Sequence, residues 1–370
     1  MVSRDSFSNW AEISLGAIVQ NVRFLVRHTN AQVMAVVKSN AYGHGTVRVA
    51  RTALRAGATW CGVARLEEAL ELRQAGLDCP ILLLGMTPSG RMHEAVAARI
   101  SITVWNKRQG HAAAVAAACT KEKARLHLKI DTGMSRLGVQ ASAASDIAGC
   151  LISTPGILFE GIFTHFARAA EGDTAPTDEQ ERQFREVLDR LTSSGLRPCL
   201  VHAANSAATL KRISTHFDLV RVGIAMYGLH PAPDLLLSPE FIPALSWKTQ
   251  LSQVKQLPSG RGLSYDHEYV TTKEERIGTL PVGYADGFRR AADNVVLVRG
   301  RKVSVVGQVC MDQLMVQLDT VSEAAVGDEV VLIGTQGDMR VTAEDVAQRW
   351  GTINYEVVTG IVSRVPRVYL

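Results

Sequence analysis

Between residue 33 and about residue 235 the chain repeats one unit: a short apolar run of strand length, then an amphipathic stretch of helical period. The runs are Val33–Val37, Trp60–Ala64, Ile81–Leu84, Ser101–Val104, Leu126–Ile130, Leu158–Thr164, Cys199–His202 and Asp218–Val222. The helical stretches carry their own punctuation. Thr177-Asp-Glu-Gln180 reads as a capping box; Phe184, Val187, Leu188 and Leu191 then share a face, and Gly195 stops the helix. Leu66, Ala69, Leu70 and Leu72 form a similar stripe before Gly76. Eight strand–helix units in succession predict an α/β fold, a (β/α)8 TIM barrel. A doubly wound open sheet competes on counts alone, but no Gly-x-Gly-x-x-Gly follows an early strand.

The pattern changes near Pro231-Ala-Pro233. Strand-like runs follow at Leu245–Leu257, Glu275–Val282, Val295–Val298, Lys302–Val309, Leu314–Leu318 and Glu329–Ile333, separated by turn signals such as Pro258-Ser-Gly260 and Asp286-Gly287. Only Thr342–Trp350 reads as helical there. The expected domains are thus a barrel over 1–235 and a mostly β domain over 236–370, with the first ten or so residues packing on the latter.

Composition removes several function classes. The net charge is +4, from 40 basic and 36 acidic residues spread along the chain, which gives no case for nucleic acid or membrane binding. No apolar run is long enough to span a bilayer, and Met1–Glu12 has no apolar signal core. The six cysteines form no Cys-x-x-Cys pair, and the ten histidines lie too far apart for the usual zinc spacings, so no metal site is expected. A reducing cytoplasm is the expected compartment.

In a barrel of this kind, functional groups sit where strands end and the next loops begin. Lys38 directly follows the first strand, in Lys38-Ser-Asn-Ala-Tyr42-Gly-His-Gly45. It reads either as a snorkelling or ion-paired lysine, or as an amine whose burial disfavours the ammonium and frees the nucleophile. Gly43 and Gly45 favour the second reading, since they let backbone approach a ligand. Lys129 and Asp131 flank Ile130 on the fifth strand and face one side, either as a structural ion pair or as functional groups. Arg136, in a glycine-flanked loop, is a candidate clamp for a carboxylate or phenolate. Asn205, Ser206, Gly223 and Ile224 lie after strands seven and eight, where barrels commonly bind phosphate on backbone N–H groups. A lysine able to form a Schiff base beside a phosphate cradle points to pyridoxal phosphate.

With these residues in view, the chain resembles the alanine racemase family, fold-type III pyridoxal phosphate enzymes. The resemblance runs through Ala35–Gly45, Lys129–Gly138, His202–Ser206, Arg221–Gly228, Gly283–Gly287 and Cys310-Met-Asp312. It implies that Lys38 holds the cofactor as a Schiff base. Tyr42, Asn205, Ser206, Gly223, Ile224 and Tyr355 would surround the phosphate, His165 and His202 would back the pyridine ring, and Arg221 would face its nitrogen. Lys129 resembles a lysine that is carbamylated in many members, where it orients Arg136. Tyr265, Met311 and Asp312 would reach the partner subunit's site, making a head-to-tail homodimer. The implied activity is the interconversion of L- and D-alanine, with Lys38 and Tyr265 as catalytic bases on opposite faces, supplying D-alanine for peptidoglycan.

Two positions depart from the family pattern. Gln308 stands where members often carry arginine, and Arg168-Ala-Ala170 intervenes before Glu171 in the substrate entryway, where an arginine and an acid would pair. A broad-specificity or serine racemase differs only in pocket size. A decarboxylase of the same fold type would place an acid against the ring nitrogen, and Arg221 argues against it. A non-catalytic pyridoxal phosphate carrier would resemble the barrel alone.

Overall fold

The computed structural model describes residues 7–370 and divides into two compact units. One comprises residues 18–41 and 45–242; the other takes the chain through Ala17, the short stretch 42–44 and residues 243–370.

The first unit is the barrel. Its strands are Gln32–Val36, Trp60–Val63, Ile81–Leu83, Ser101–Val104, Ala124–Asp131, Ile157–Phe163, Leu200–His202 and Leu219–Val222, each within a residue or two of an apolar run in the sequence. They pair in parallel in chain order, and the eighth pairs back onto the first. Asp218 N–H to Val201 O at 3.0 Å and Arg221 N–H to Ala204 O at 3.0 Å bring the seventh strand against the eighth and nearly close the ring. The strand interiors are almost wholly buried, as sheets covered by helices require. The expected capping box at Thr177 does not form. Its helix, Ala175–Ser193, starts two residues earlier with Pro176 in the first turn, where a missing N–H costs nothing. Thr177 is then buried inside the helix, and Gln180 turns to other work.

The second unit is built on one sheet. Its strand order is Gln253–Leu257, Glu275–Leu280, Leu314–Gln317, Arg301–Val306, Val295–Val298, Glu329–Gln336, Leu245–Gln250, Asn9–Ile13, Arg367–Tyr369, with Met339–Val341 paired onto Glu329–Gln336. The run expected as one strand, Leu245–Leu257, breaks at Leu251-Ser252 so that its halves pair with different neighbours. Of the first ten residues, 1–6 lie outside the described residues; the strand Asn9–Ile13 pairs antiparallel with Leu245–Gln250. Besides the helix Ala343–Arg349, a second one, Asn354–Gly360, corrects the expectation of a single helix. Trp247, Phe288 and Trp350 pack edge to face in the core. Both indoles donate to buried asparagine oxygens, Trp247 to Asn9 at 2.7 Å and Trp350 to Asn294 at 2.9 Å.

Candidate active site

Lys38 opens an unusual piece of backbone. Ser39, Asn40, Ala41 and Tyr42 all have φ between 50° and 54°, a left-handed turn of four residues that each carry a Cβ. Such a conformation costs roughly 1–2 kcal/mol per residue and survives only where the surroundings dictate it. They do so here. Glu68 accepts from Ser39 N–H, and from Ala64 N–H at 2.8 Å and Arg65 N–H at 3.0 Å. Asn40 accepts from Thr46 N–H through its side chain and from Gly45 N–H through its carbonyl. Burial lowers the pKa of the Lys38 ammonium, helped by Arg136 and opposed by Glu68. The amine is therefore easier to free than that of a surface lysine.

The fifth strand, Ala124–Asp131, turns a polar ladder inward. Lys129 is buried, and its ammonium has no hydrogen-bond partner among the described residues. Asp131 does not pair with it; its carboxylate accepts from Gly133 N–H and Ser135 N–H, each at 3.0 Å. Burial first, then Arg221 and Arg136, bring Lys129 down to about 8, against the pull of Asp131. Lys129 Nζ lies 5.1 Å from the centre of the Phe163 ring.

Arg221 is the centre of the buried network. It donates to Thr164 O and Ala203 O, each at 2.8 Å, to His202 Nδ1 at 2.7 Å and to His165 Nδ1 at 3.2 Å. No carboxylate touches it among the described residues, and burial alone lowers its pKa to about 9. Burial and the Arg221 charge hold both His165 and His202 well below the usual histidine range, so both are neutral. The His202 ring stacks on Phe163 at 4.6 Å.

After the seventh and eighth strands, Asn205 caps the helix Ser206–Lys211 by accepting from Ala208 N–H at 3.0 Å. Ser206 Oγ accepts from Gly223 N–H at 2.9 Å and ties the two loops together. The short helices beginning at Ser206 and Ile224 leave their first-turn N–H groups without intrahelical acceptors.

In the β unit, the Tyr42 and Tyr355 rings lie 6.1 Å apart, and burial raises both phenols, Tyr355 to about 12. Tyr265 and Met311 are 69% and 54% exposed, a large apolar area for such residues to leave in water. The loops that carry them are fastened: Ser264 Oγ donates to Gln308 O at 2.7 Å, and Tyr284 N–H to Cys310 O at 3.1 Å. Arg364 bridges Asp312 and Asp286. At the two departures, Gln308 donates to Asp266 at 2.9 Å and accepts from Arg290, while Glu171 pairs with Arg168. Gln308 thus holds a guanidinium from another position beside it.

Three residues of the network carry no site role in the sequence reading, which expects Gln180 only as part of a capping box. Gln180 accepts from Ala167 N–H at 2.9 Å and donates to His165 O at 3.2 Å, anchoring the loop after the sixth strand. His127 and Glu160 extend the buried network below His202. The alternation Arg125, His127, Lys129, Asp131 was a legible signal for His127; Glu160 had none.

Pyridoxal phosphate asks for an amine with a depressed pKa, donors for a phosphate and a partner for a ring nitrogen. Lys38, the loops tied by Ser206 and the buried guanidinium of Arg221 fit those demands. A barrel whose first strand ends in a strained lysine loop, followed by a β domain, places the chain in the fold-type III class of pyridoxal phosphate enzymes. Comparison with known proteins narrows the class. Residues 13–231 match the family model for the alanine racemase N-terminal domain, and residues 244–369 that for the C-terminal domain. The alanine racemase of Symbiobacterium thermophilum is 43% identical, covering 97% of this chain and 96% of its own length. The alanine racemase of Bacillus anthracis, solved with bound L-Ala-P, superimposes with a TM-score of 0.92 at 41% identity, covering 98% of this chain and 95% of its own. That of Streptomyces coelicolor A3(2) gives 0.94 at 41%, with both chains fully covered. The chain belongs to the alanine racemase family of isomerases.

Proposed function

We propose that this chain interconverts L- and D-alanine with pyridoxal phosphate bound at Lys38, as a head-to-tail homodimer with two shared sites. In the cytoplasm this supplies D-alanine for peptidoglycan. The observation that carries the reading is Arg221, a buried cation with no carboxylate in contact among the described residues. A guanidinium has donors and no acceptor, so it hydrogen-bonds a ring nitrogen without protonating it. When bound, the cofactor supplies the electron sink that lets the Cα proton leave. An unprotonated ring is a weaker sink, which suits a proton that must return to the same carbon and disfavours decarboxylation.

Racemisation removes a proton from one face of Cα and returns one to the other, so it needs two bases. Lys38 takes one face, its ammonium made easier to deprotonate by burial. Tyr265 of the partner subunit takes the other; its exposure in a single chain supports a place in a shared site. Asn205, Ser206, Gly223 and Ile224, with Tyr42 and Tyr355, hold the phosphate. His165 and His202 hold Arg221 in place. Arg136 binds the substrate carboxylate, with Met311 and Asp312 of the partner subunit closing the pocket. Lys129, short of a partner and flanked by cations, becomes a carbamate whose negative charge orients Arg136.

The test is to incubate the purified protein with pyridoxal phosphate and L-alanine and to follow circular dichroism. Decay to a racemic mixture is expected. Stable optical activity with cofactor bound at Lys38 would overturn the reading.

A further inference from the structure

The bonds to Arg221 do not stop at His202. His202 Nε2 lies 2.9 Å from His127 Nδ1, and His127 Nε2 lies 3.1 Å from a Glu160 oxygen. Both rings are fully buried. The direction of every bond follows from the arginine end. Arg221 can only donate, so His202 Nδ1 accepts. A neutral imidazole has one N–H, so the proton of His202 sits on Nε2 and is donated to His127 Nδ1. The proton of His127 then sits on its own Nε2 and needs an acceptor. Glu160 is that acceptor, and it also accepts from Ser101 and Arg125. We propose that Glu160 is a positioning residue for Arg221, acting through a one-way hydrogen-bond relay in which His202 and His127 are both held as Nε2–H tautomers.

The backbone is built for this contact. On the sixth barrel strand the pairing steps from Leu126–Phe159 to His127–Gly161, so Glu160 is the extra residue of a β-bulge. A bulge re-aims a side chain, and this one brings Glu160 to the ring of His127. Gly161 gives that ring its room: a Cβ there would lie 2.4 Å from His127 Nδ1. Hydrogen bonds from His127 and Ser101, together with the Arg125 ion pair at 3.1 Å, keep Glu160 ionised against its burial.

Reversing the relay is costly. If His127 moved its proton to Nδ1, His202 would face a donor on each side and would need a proton on neither nitrogen. Either the bond between His202 and His127 or the one between His202 and Arg221 must then break. The acceptor at Glu160 therefore keeps Arg221 fixed, and the proposal rests on the role of Arg221 given above.

The test uses holoenzyme labelled with 15N-histidine and long-range 1H–15N correlation spectra, assigned with His127→Asn and His202→Asn. The wild type should show one protonated nitrogen, Nε2, on each ring. Glu160→Gln keeps an oxygen for His127 and should preserve both tautomers. Glu160→Leu removes the acceptor; the His202 Nδ1 signal should shift as its bond to Arg221 breaks. Pyruvate released per racemisation, the mark of transamination, should rise about tenfold, as for loss of one bond to a charged group, and Glu160→Gln should restore the wild-type ratio. An Nδ1–H ring or an imidazolium at either position in the wild type overturns the proposal. So does Glu160→Leu with an unchanged spectrum, or with a changed spectrum and no rise in pyruvate. Should Glu160→Leu fail to fold, the wild-type and Glu160→Gln spectra decide. A wild type with the expected tautomers that leaves L-alanine unchanged fails the functional reading and leaves the relay standing.

Discussion

Lys129 and Arg221 are buried cations beside the same phenyl ring, and their chemistry separates them. Burial brings Arg221 only to about 9, so at neutral pH the guanidinium keeps its proton and remains a donor. Lysine gives its proton up, and burial brings Lys129 to about 8. Above that value the neutral amine predominates and can add carbon dioxide, releasing a proton as the carbamate forms. With 13C-labelled carbon dioxide held at constant activity, a carbamate carbonyl signal should grow as pH rises through about 8 and be absent from Lys129→Met. No signal above that pH would remove the carbamate from the account. Arg221→Glu replaces a donor with an acid that can protonate the ring nitrogen. Racemisation should fall by roughly a hundredfold or more while pyruvate release rises; an unchanged side-product ratio would remove the arginine's role. Much of this site was legible because lysine, histidine and arginine at strand ends contradict the apolar pattern around them. Glu160 was not, because strict alternation assigns it to the face opposite Gly161 and Phe163, and only the bulge turns it inward.

At the scale of elements, the eight barrel strands were legible because each is a short apolar run bounded by breaks. Pairings between distant segments were not. Asn9–Ile13 is a strand only because Leu245–Gln250 and Arg367–Tyr369 lie on either side of it. Asn354–Gly360 hides its helix behind Val357, Val358 and Thr359, whose branched side chains favour strands; tertiary packing overrides that preference. The stretch after Lys38 was legible as glycine-rich but not as left-handed, because nothing local forces alanine and tyrosine there. Gly43 continues it with φ 82°, and a Cβ at that position would lie 2.2 Å from Val358 O. Gly43→Ala should therefore lower stability by at least about 2 kcal/mol, read from urea unfolding; a loss under about half of that would contradict the close approach.

Over the whole molecule, the chain divides its chemistry between two units. The barrel unit holds Lys38, Arg136, Lys129 and Arg221, while Tyr265 and Met311 stand exposed on the β unit. In the proposed dimer each site takes Lys38 from one chain and Tyr265 from the other. Complementation tests this most directly. Lys38→Ala and Tyr265→Ala are each expected to be inactive as homodimers. Unfolded together and refolded, they should form mixed dimers in which one site loses both residues and the other keeps both. Random pairing makes half of the dimers mixed, each with one of two sites intact, so about a quarter of wild-type specific activity should return. A mixture as inactive as its parents would contradict the shared site.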